Sequence, residues 1–229
     1  MVFLFSLADK IGFSVCSQTP SRTLMMGDIL LPLCGRTGGI YLGFIVSAVI
    51  LFILFRKKES GLAPLHVYII FCLLIMSTVL DWVLSKSGIY ESSNNIRFIT
   101  GFLAGSSMMA IVFPVFNSLY YKKPNGRLIF KRPIKSIIYF FVLILFIILT
   151  LFRFDFLSLF FYYLSAVAVL FTFYFVNLLV IFLIPLFANK AKKTISRYLV
   201  LPSIISLALT SLQLFIFFKM GEFFTYLGA

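Results

Sequence analysis

Six long apolar runs dominate this chain of 229 residues. A helix needs about 20 predominantly apolar residues to cross the hydrocarbon core of a bilayer, and each run is long enough. Lipid offers the backbone no hydrogen-bond partner, so such runs must form helices. The sequence therefore predicts an all-α polytopic integral membrane protein with six transmembrane helices, which form a single membrane domain over residues 1–229. The predicted spans are approximately residues 36–55, 65–84, 97–119, 134–152, 157–187 and 199–218.

The fifth run is longer than one bilayer crossing requires at about 1.5 Å of rise per residue. Asn177 and Pro185 both lie within it, and either residue is able to bend or end a helix. Two interpretations stay open from the sequence: one tilted helix, or two helical pieces.

Basic residues are divided unevenly between the two sides of the predicted bundle. The loops after the first, third and fifth runs hold thirteen lysines and arginines, and the other side holds seven. An excess of positive charge marks cytoplasmic loops. We therefore predict a multi-pass protein of the cell (inner) membrane with both termini outside. This topology accounts for the net charge of +13 and argues against nucleic-acid binding.

The first 34 residues are predicted to form an external segment at the membrane interface. Pro20 and Pro32 bracket a part of it that we expect to be irregular. Glycines at a spacing of four then open the first span, and two more lie early in the third. Small residues four apart align on one helix face and allow two backbones to approach closely, so we predict that these spans pack together. The glycines concerned are Gly35, Gly39, Gly43, Gly101 and Gly105.

A cluster of charged and polar residues is predicted at the outer ends of the spans. Asp81 lies inside the second apolar run, where a carboxylate is expected to face protein or water and to have a partner, or to be protonated. Arg36 and Arg97 begin the first and third spans at nearly the same depth, so we expect one of them to pair with Asp81. Together with Arg22 and Asn95 they form a candidate site. The cluster either ties the helices together or binds an anionic group.

The stretch CSQTPSRT, followed by PLCGRTGGIYLG, resembles a prokaryotic family of predicted membrane proteins that carry the domain of unknown function 2085. The resemblance covers about residues 16–105. In the family pattern a His follows the first Cys and a further Cys follows the Arg, whereas Ser17 and Thr37 stand at these positions here. The later matches are Asp81, Ser93, Asn94, Arg97, Thr100, Gly101, Leu103 and Gly105.

The resemblance bears on the two cysteines that precede the first span. Of four soft ligands in the family pattern only Cys16 and Cys34 remain, and two thiolates make a poor metal site, so no metal is predicted. In an oxidising exterior the same pair suits a disulfide that pins the N-terminal segment over the bundle. Closing that loop would contribute roughly 3 kcal/mol.

The family brings no assigned activity. The residues favour binding or transport of a small anionic or lipid-like molecule at the outer polar cluster. One alternative is an accessory subunit that contacts a membrane protein partner. Another is a membrane redox or metal enzyme whose ligands are partly lost. No Ser-His-Asp, HExxH or phosphate-loop pattern is present, so the sequence leans against an enzyme without deciding the question. No cofactor is predicted, and the lipid bilayer is the one partner common to all readings.

Overall fold

The computed structural model describes residues 2–55, 59–191 and 197–227. Six of its helices have the length and apolar composition to cross a membrane, as the sequence predicted. The helices are α1 (Val2–Val15), α2 (Gly35–Leu54), α3 (Leu65–Lys86), α4 (Asn94–Tyr120), α5 (Pro133–Leu151), α6 (Ser158–Leu183) and α7 (Val200–Leu227). The strands are β1 (Thr23–Met26), β2 (Ile29–Cys34), β3 (Glu59–Gly61) and β4 (Asn125–Leu128).

Helix α4 lies at the centre of the bundle. In its most apolar stretch 61% of the residues are buried, whereas the value is 22% for α3, α5 and α7. The exposed residues of those three helices are mostly large and apolar, which is the composition of a lipid-facing surface. Which end of the bundle faces outwards, and hence the side of both termini, stays a prediction. Of the basic residues behind that prediction, Arg56, Lys57, Lys58, Lys192 and Lys193 lie outside the described residues.

The fifth apolar run folds as one helix, α6, which ends two residues before Pro185. Proline has no backbone N–H and cannot continue a helix, so its position explains the end point. Asn177 does not break α6. Its Nδ2 donates hydrogen bonds to Thr210 Oγ1 at 3.0 Å and to Gln213 Oε1 at 2.8 Å, both on α7. The residue therefore joins two helices within the bundle. Helix α7 continues to Leu227, nine residues beyond the predicted end of the sixth span.

The N-terminal segment is more regular than the sequence led us to expect. Strands β1 and β2 form an antiparallel hairpin in which Met26 pairs with Ile29, and Gly27 adopts φ +55° in the turn. Leu24 and Met26 are buried while Met25 between them is 50% exposed. This alternation is hidden in the sequence because the residues on both faces are apolar. Helix α1 packs on α6, where Tyr162 Oη donates to Asp9 Oδ1 at 2.5 Å.

Candidate functional site

The carboxylate of Asp81 is held by three side chains at the end of the bundle where α2 begins. Arg36, the second residue of α2, donates from Nη2 to Asp81 Oδ2. Tyr90 Oη and Ser92 Oγ donate to the other oxygen, Oδ1, the latter at 2.7 Å. Asp81 is only 5% exposed, and a buried carboxylate is tolerated when it is paired and hydrogen-bonded in this way. Arg36 is one of the two partners expected from the sequence, whereas the hydrogen bonds from Tyr90 and Ser92 were not predicted.

Glycines bring α2 and α4 into backbone contact next to this ion pair. An added Cβ at Gly105 would lie 1.9 Å from the carbonyl oxygen of Ile40, and one at Gly43 would lie 2.1 Å from that of Phe102. A Cβ at Gly101 would lie 2.3 Å from the carbonyl oxygen of Arg36. Gly35 and Gly39 make similar approaches to the α4 backbone. This backbone contact sets the positions of Arg36 and Arg97 relative to each other along the axes of the two adjacent helices.

Four cationic side chains line a cavity of about 380 Å³ at this end of the bundle: Arg22, Arg36, Lys86 and Arg97. We call this cavity the arginine pocket. Trp82 and the two cysteines Cys16 and Cys34 also line it. The Nε atoms of Arg36 and Arg97 are buried and have no hydrogen-bond partner in the described part of the chain. Since a guanidinium offers five donors, unused donors remain in this pocket.

Asn95 lies apart from the arginine pocket, although the sequence grouped it with Arg22, Arg36, Asp81 and Arg97. Its Oδ1 accepts a hydrogen bond from Arg153 Nη2 at 2.7 Å, in the connection between α5 and α6. The neighbouring Asn94 instead ties the hairpin to α4, because its Nδ2 donates to Thr23 O at 3.2 Å. Lys86 lines the arginine pocket although it was not predicted to belong to the cluster. Its position in the last turn of α3, five residues after Asp81, was the available signal.

Cys16 and Cys34 are free thiols in contact with each other at the edge of the arginine pocket. The backbone N–H of Cys34 donates to Cys16 Sγ at 3.3 Å. The Cys16 thiol donates to the Cys34 sulfur, which lowers the pKa of Cys34 to about 6 and raises the pKa of Cys16. Burial opposes the shift at Cys34, and a hydrogen bond from Thr23 adds to it. The disulfide predicted between the two residues stays a prediction.

We expect the reactivity of Cys34 to rise with pH through about 6, since the thiolate is the reactive form and its pKa is lowered. An unperturbed thiol would instead become reactive near pH 8.5. The measurement is the rate of iodoacetamide alkylation of each cysteine between pH 5 and pH 9, by peptide mass spectrometry in a Cys72→Ala background. Cys16→Ala removes the donated hydrogen bond and should move the midpoint of Cys34 upwards. A midpoint near pH 8.5 in the parent protein would contradict the assignment.

The fold defines an integral membrane protein with six apolar spanning helices and a cationic pocket at one end of the bundle. The chain belongs to the DUF2085 family of predicted membrane proteins, whose family model matches residues 16–111. An uncharacterized protein of Methanocaldococcus jannaschii, MJ1492, is 33% identical over 109 residues, which cover 48% of this chain and 68% of the relative. An uncharacterized protein of Methanothermobacter thermautotrophicus is 30% identical over 97 residues, which cover 42% of this chain and 83% of the relative. No solved structure matches the chain significantly.

The family match covers one part of the protein, residues 16–111. It begins at Cys16 and ends within α4, so the arginine pocket's four cations all lie inside it. Strand β4 and helices α5, α6 and α7 lie beyond it. The part of the chain that matches the family therefore carries Asp81, the glycines between α2 and α4, and the cations of the arginine pocket.

Proposed function

We propose that this membrane protein binds the anionic group of a small molecule or lipid in the arginine pocket. The observation that carries the proposal is the surplus of unused cationic donors in one cavity. Among the described residues, Arg36 is the one cation that forms an ion pair with Asp81. Arg22, Lys86 and Arg97 have no acidic partner among the residues that the structure describes.

The chemistry of these side chains favours an oxyanion as the ligand. Guanidinium groups bind carboxylates and phosphates through two parallel hydrogen bonds, and such charge-assisted bonds are the strong ones. Arg36 and Arg97 both line this cavity, and the Nε atom of each is buried without a hydrogen-bond partner among the described residues. Leaving a buried polar group unpaired costs about 1–3 kcal/mol, so a rearrangement on binding that gives these donors an acceptor is favoured. The exposed indole of Trp82 gives the same cavity an apolar wall.

We expect inorganic phosphate to stabilise the purified protein. Arg97→Gln should weaken phosphate binding about tenfold, because it removes one charge-assisted hydrogen bond to the anion. The measurement is the unfolding temperature in neutral detergent as a function of phosphate concentration, with chloride at matched ionic strength as reference. Arg22→Gln gives a second variant at an exposed position, for the case that Arg97→Gln folds poorly.

Lys10→Gln is the matched control because Lys10 is an exposed cation outside the arginine pocket. An equal loss in this control, or no loss in either arginine variant, would contradict the proposal. A second titration with short-chain phosphatidylglycerol separates the two sources of the anionic group. A lipid ligand would stabilise the protein at lower concentration than phosphate does.

A further inference from the structure

A larger cavity lies at the other end of the bundle. Its volume is about 1010 Å³, and it lies between the end of α2, strands β3 and β4, and the start of α5. Among the residues that the structure describes, four cations and one acid line it, namely Arg127, Lys131, Arg132 and Lys135 with Glu59. We call this cavity the basic pocket. Helix α2 has 20 residues and separates it from the arginine pocket by about 30 Å, so the two cavities are distinct.

Glu59, the acid described in the basic pocket, already forms an ion pair. Glu59 is 8% exposed, and its carboxylate accepts hydrogen bonds from Lys135 Nζ at 3.2 and 3.3 Å. Asn117 Nδ2 donates to the backbone oxygen of Glu59 at 2.7 Å and fixes its position. Lys135 also lies 4.3 Å from the centre of the Phe55 ring. Arg127, Lys131 and Arg132 therefore remain without an acidic partner among the described residues.

The rim of the basic pocket is held in place by backbone contacts. Strands β3 and β4 pair in parallel, with Glu59 opposite Asn125 and Gly61 opposite Leu128. A Cβ at Gly61 would lie 2.8 Å from the carbonyl oxygen of Gly126, so only glycine permits this approach. The two strands thus position Arg127 at a fixed place on the rim.

One wall of the basic pocket is apolar and continues onto the outer surface of the bundle. Ile53 and Leu54 belong to this wall, and Ile53 is 55% exposed. Both residues end the span α2. In a membrane, the wall is therefore at the boundary where acyl chains meet phosphate groups, and the cations stand just beyond it.

We propose that the basic pocket binds the phosphate head group of an anionic phospholipid, with the acyl chains against the apolar surface at Ile53. A lipid fits better than a soluble anion because the cavity joins a cationic rim to a lipid-facing wall. The cations Arg127, Lys131, Arg132 and Lys135 lie beyond the family match, which ends at residue 111. The site is thus independent of the arginine pocket and of the function proposed there.

The test compares lipid retention in two double variants with the same change in charge. Lys131→Gln/Arg132→Gln removes two exposed cations from the pocket, and Lys122→Gln/Lys123→Gln removes two exposed cations outside it in the same connection. The protein is placed in nanodiscs of phosphatidylcholine with phosphatidylglycerol, released into neutral detergent, and the retained lipids are counted by native mass spectrometry. We expect the parent protein to retain phosphatidylglycerol preferentially. The pocket variant should bind it about thirtyfold more weakly, since two basic side chains near an anionic lipid surface contribute that factor.

Three results would overturn the assignment. Equal retention of phosphatidylcholine and phosphatidylglycerol by the parent protein would remove the preference for an anionic head group. An equal loss in the Lys122/Lys123 variant would show that general charge attracts the lipid. Stabilisation by inorganic phosphate that disappears in the Lys131/Arg132 variant, without any lipid preference, would assign the pocket to a soluble anion. Retention that falls only in the pocket variant supports the proposal.

Discussion

Replacing Asp81 with Asn is expected to destabilise the protein by about 3 kcal/mol, the lower end of the cost of breaking a buried ion pair. The substitution keeps the shape of the side chain but leaves the Arg36 guanidinium without its carboxylate. It also weakens the hydrogen bonds from Tyr90 and Ser92, whose acceptor loses its charge. Denaturant unfolding in mixed micelles measures the change in free energy.

Glu222→Gln is the matched control for the Asp81 substitution. Glu222 pairs with Lys219 at 2.7 Å, but both side chains are about half exposed, so the loss should stay below about 0.5 kcal/mol. The double variant Asp81→Asn/Arg36→Gln should recover part of the stability, because it removes the uncompensated cation as well. An Asp81 variant as stable as the Glu222 variant would show that the pair does not hold α2 to α3.

Replacing Gly105 with Val should destabilise the bundle by about 3 kcal/mol or more, the upper range for overpacking. The Cβ position lies 1.9 Å from the carbonyl oxygen of Ile40. A backbone oxygen has no alternative rotamer, so α2 and α4 must separate. Their separation would also move Arg36 away from Arg97 and weaken phosphate binding in the arginine pocket. Unfolding in micelles and the phosphate titration test the two effects.

Gly126→Val provides the comparison for Gly105→Val. An added Cβ at Gly126 meets no atom within 4 Å, and the residue lies in a short exposed strand. We expect a change within about 0.5 kcal/mol. If both valine variants unfold alike, then the close approach of α2 to α4 does not limit stability.

Much of the architecture was predictable because a bilayer imposes simple rules on the sequence. The length of each apolar run predicted a spanning helix, and six of the described helices have the length and apolar composition of membrane spans. A charged residue inside such a run must find a partner at its own depth, which made Arg36 and Arg97 the candidates for Asp81. The four-residue spacing of the glycines defined one face on each of two helices, and the structure places those faces in backbone contact. The family, too, was recognisable from ordered motifs within residues 16–105.

The composition of the pockets was not predictable in the same way. Asn95 was expected in the cluster but accepts a hydrogen bond from Arg153 instead. Lys86 was not expected there but lines the arginine pocket. The hairpin that brings Cys16 and Cys34 together went unseen because apolar residues occupy both of its faces. The basic pocket depends on the parallel pairing of β3 with β4, two strands that are more than 60 residues apart in the chain.

The sequence by itself determined that this chain is a membrane protein with six apolar helices, and it predicted which charges and small residues lie near the ends of those helices. Hydropathy indicates which segments lie in the hydrocarbon core, because the polarity of a bilayer changes along the membrane normal. The tertiary structure decided which side chains meet, namely Arg36 with Asp81 and Lys135 with Glu59. Such contacts depend on the rotation of each helix about its axis and on the path of the connecting strands, and these are set by packing between segments distant in the chain.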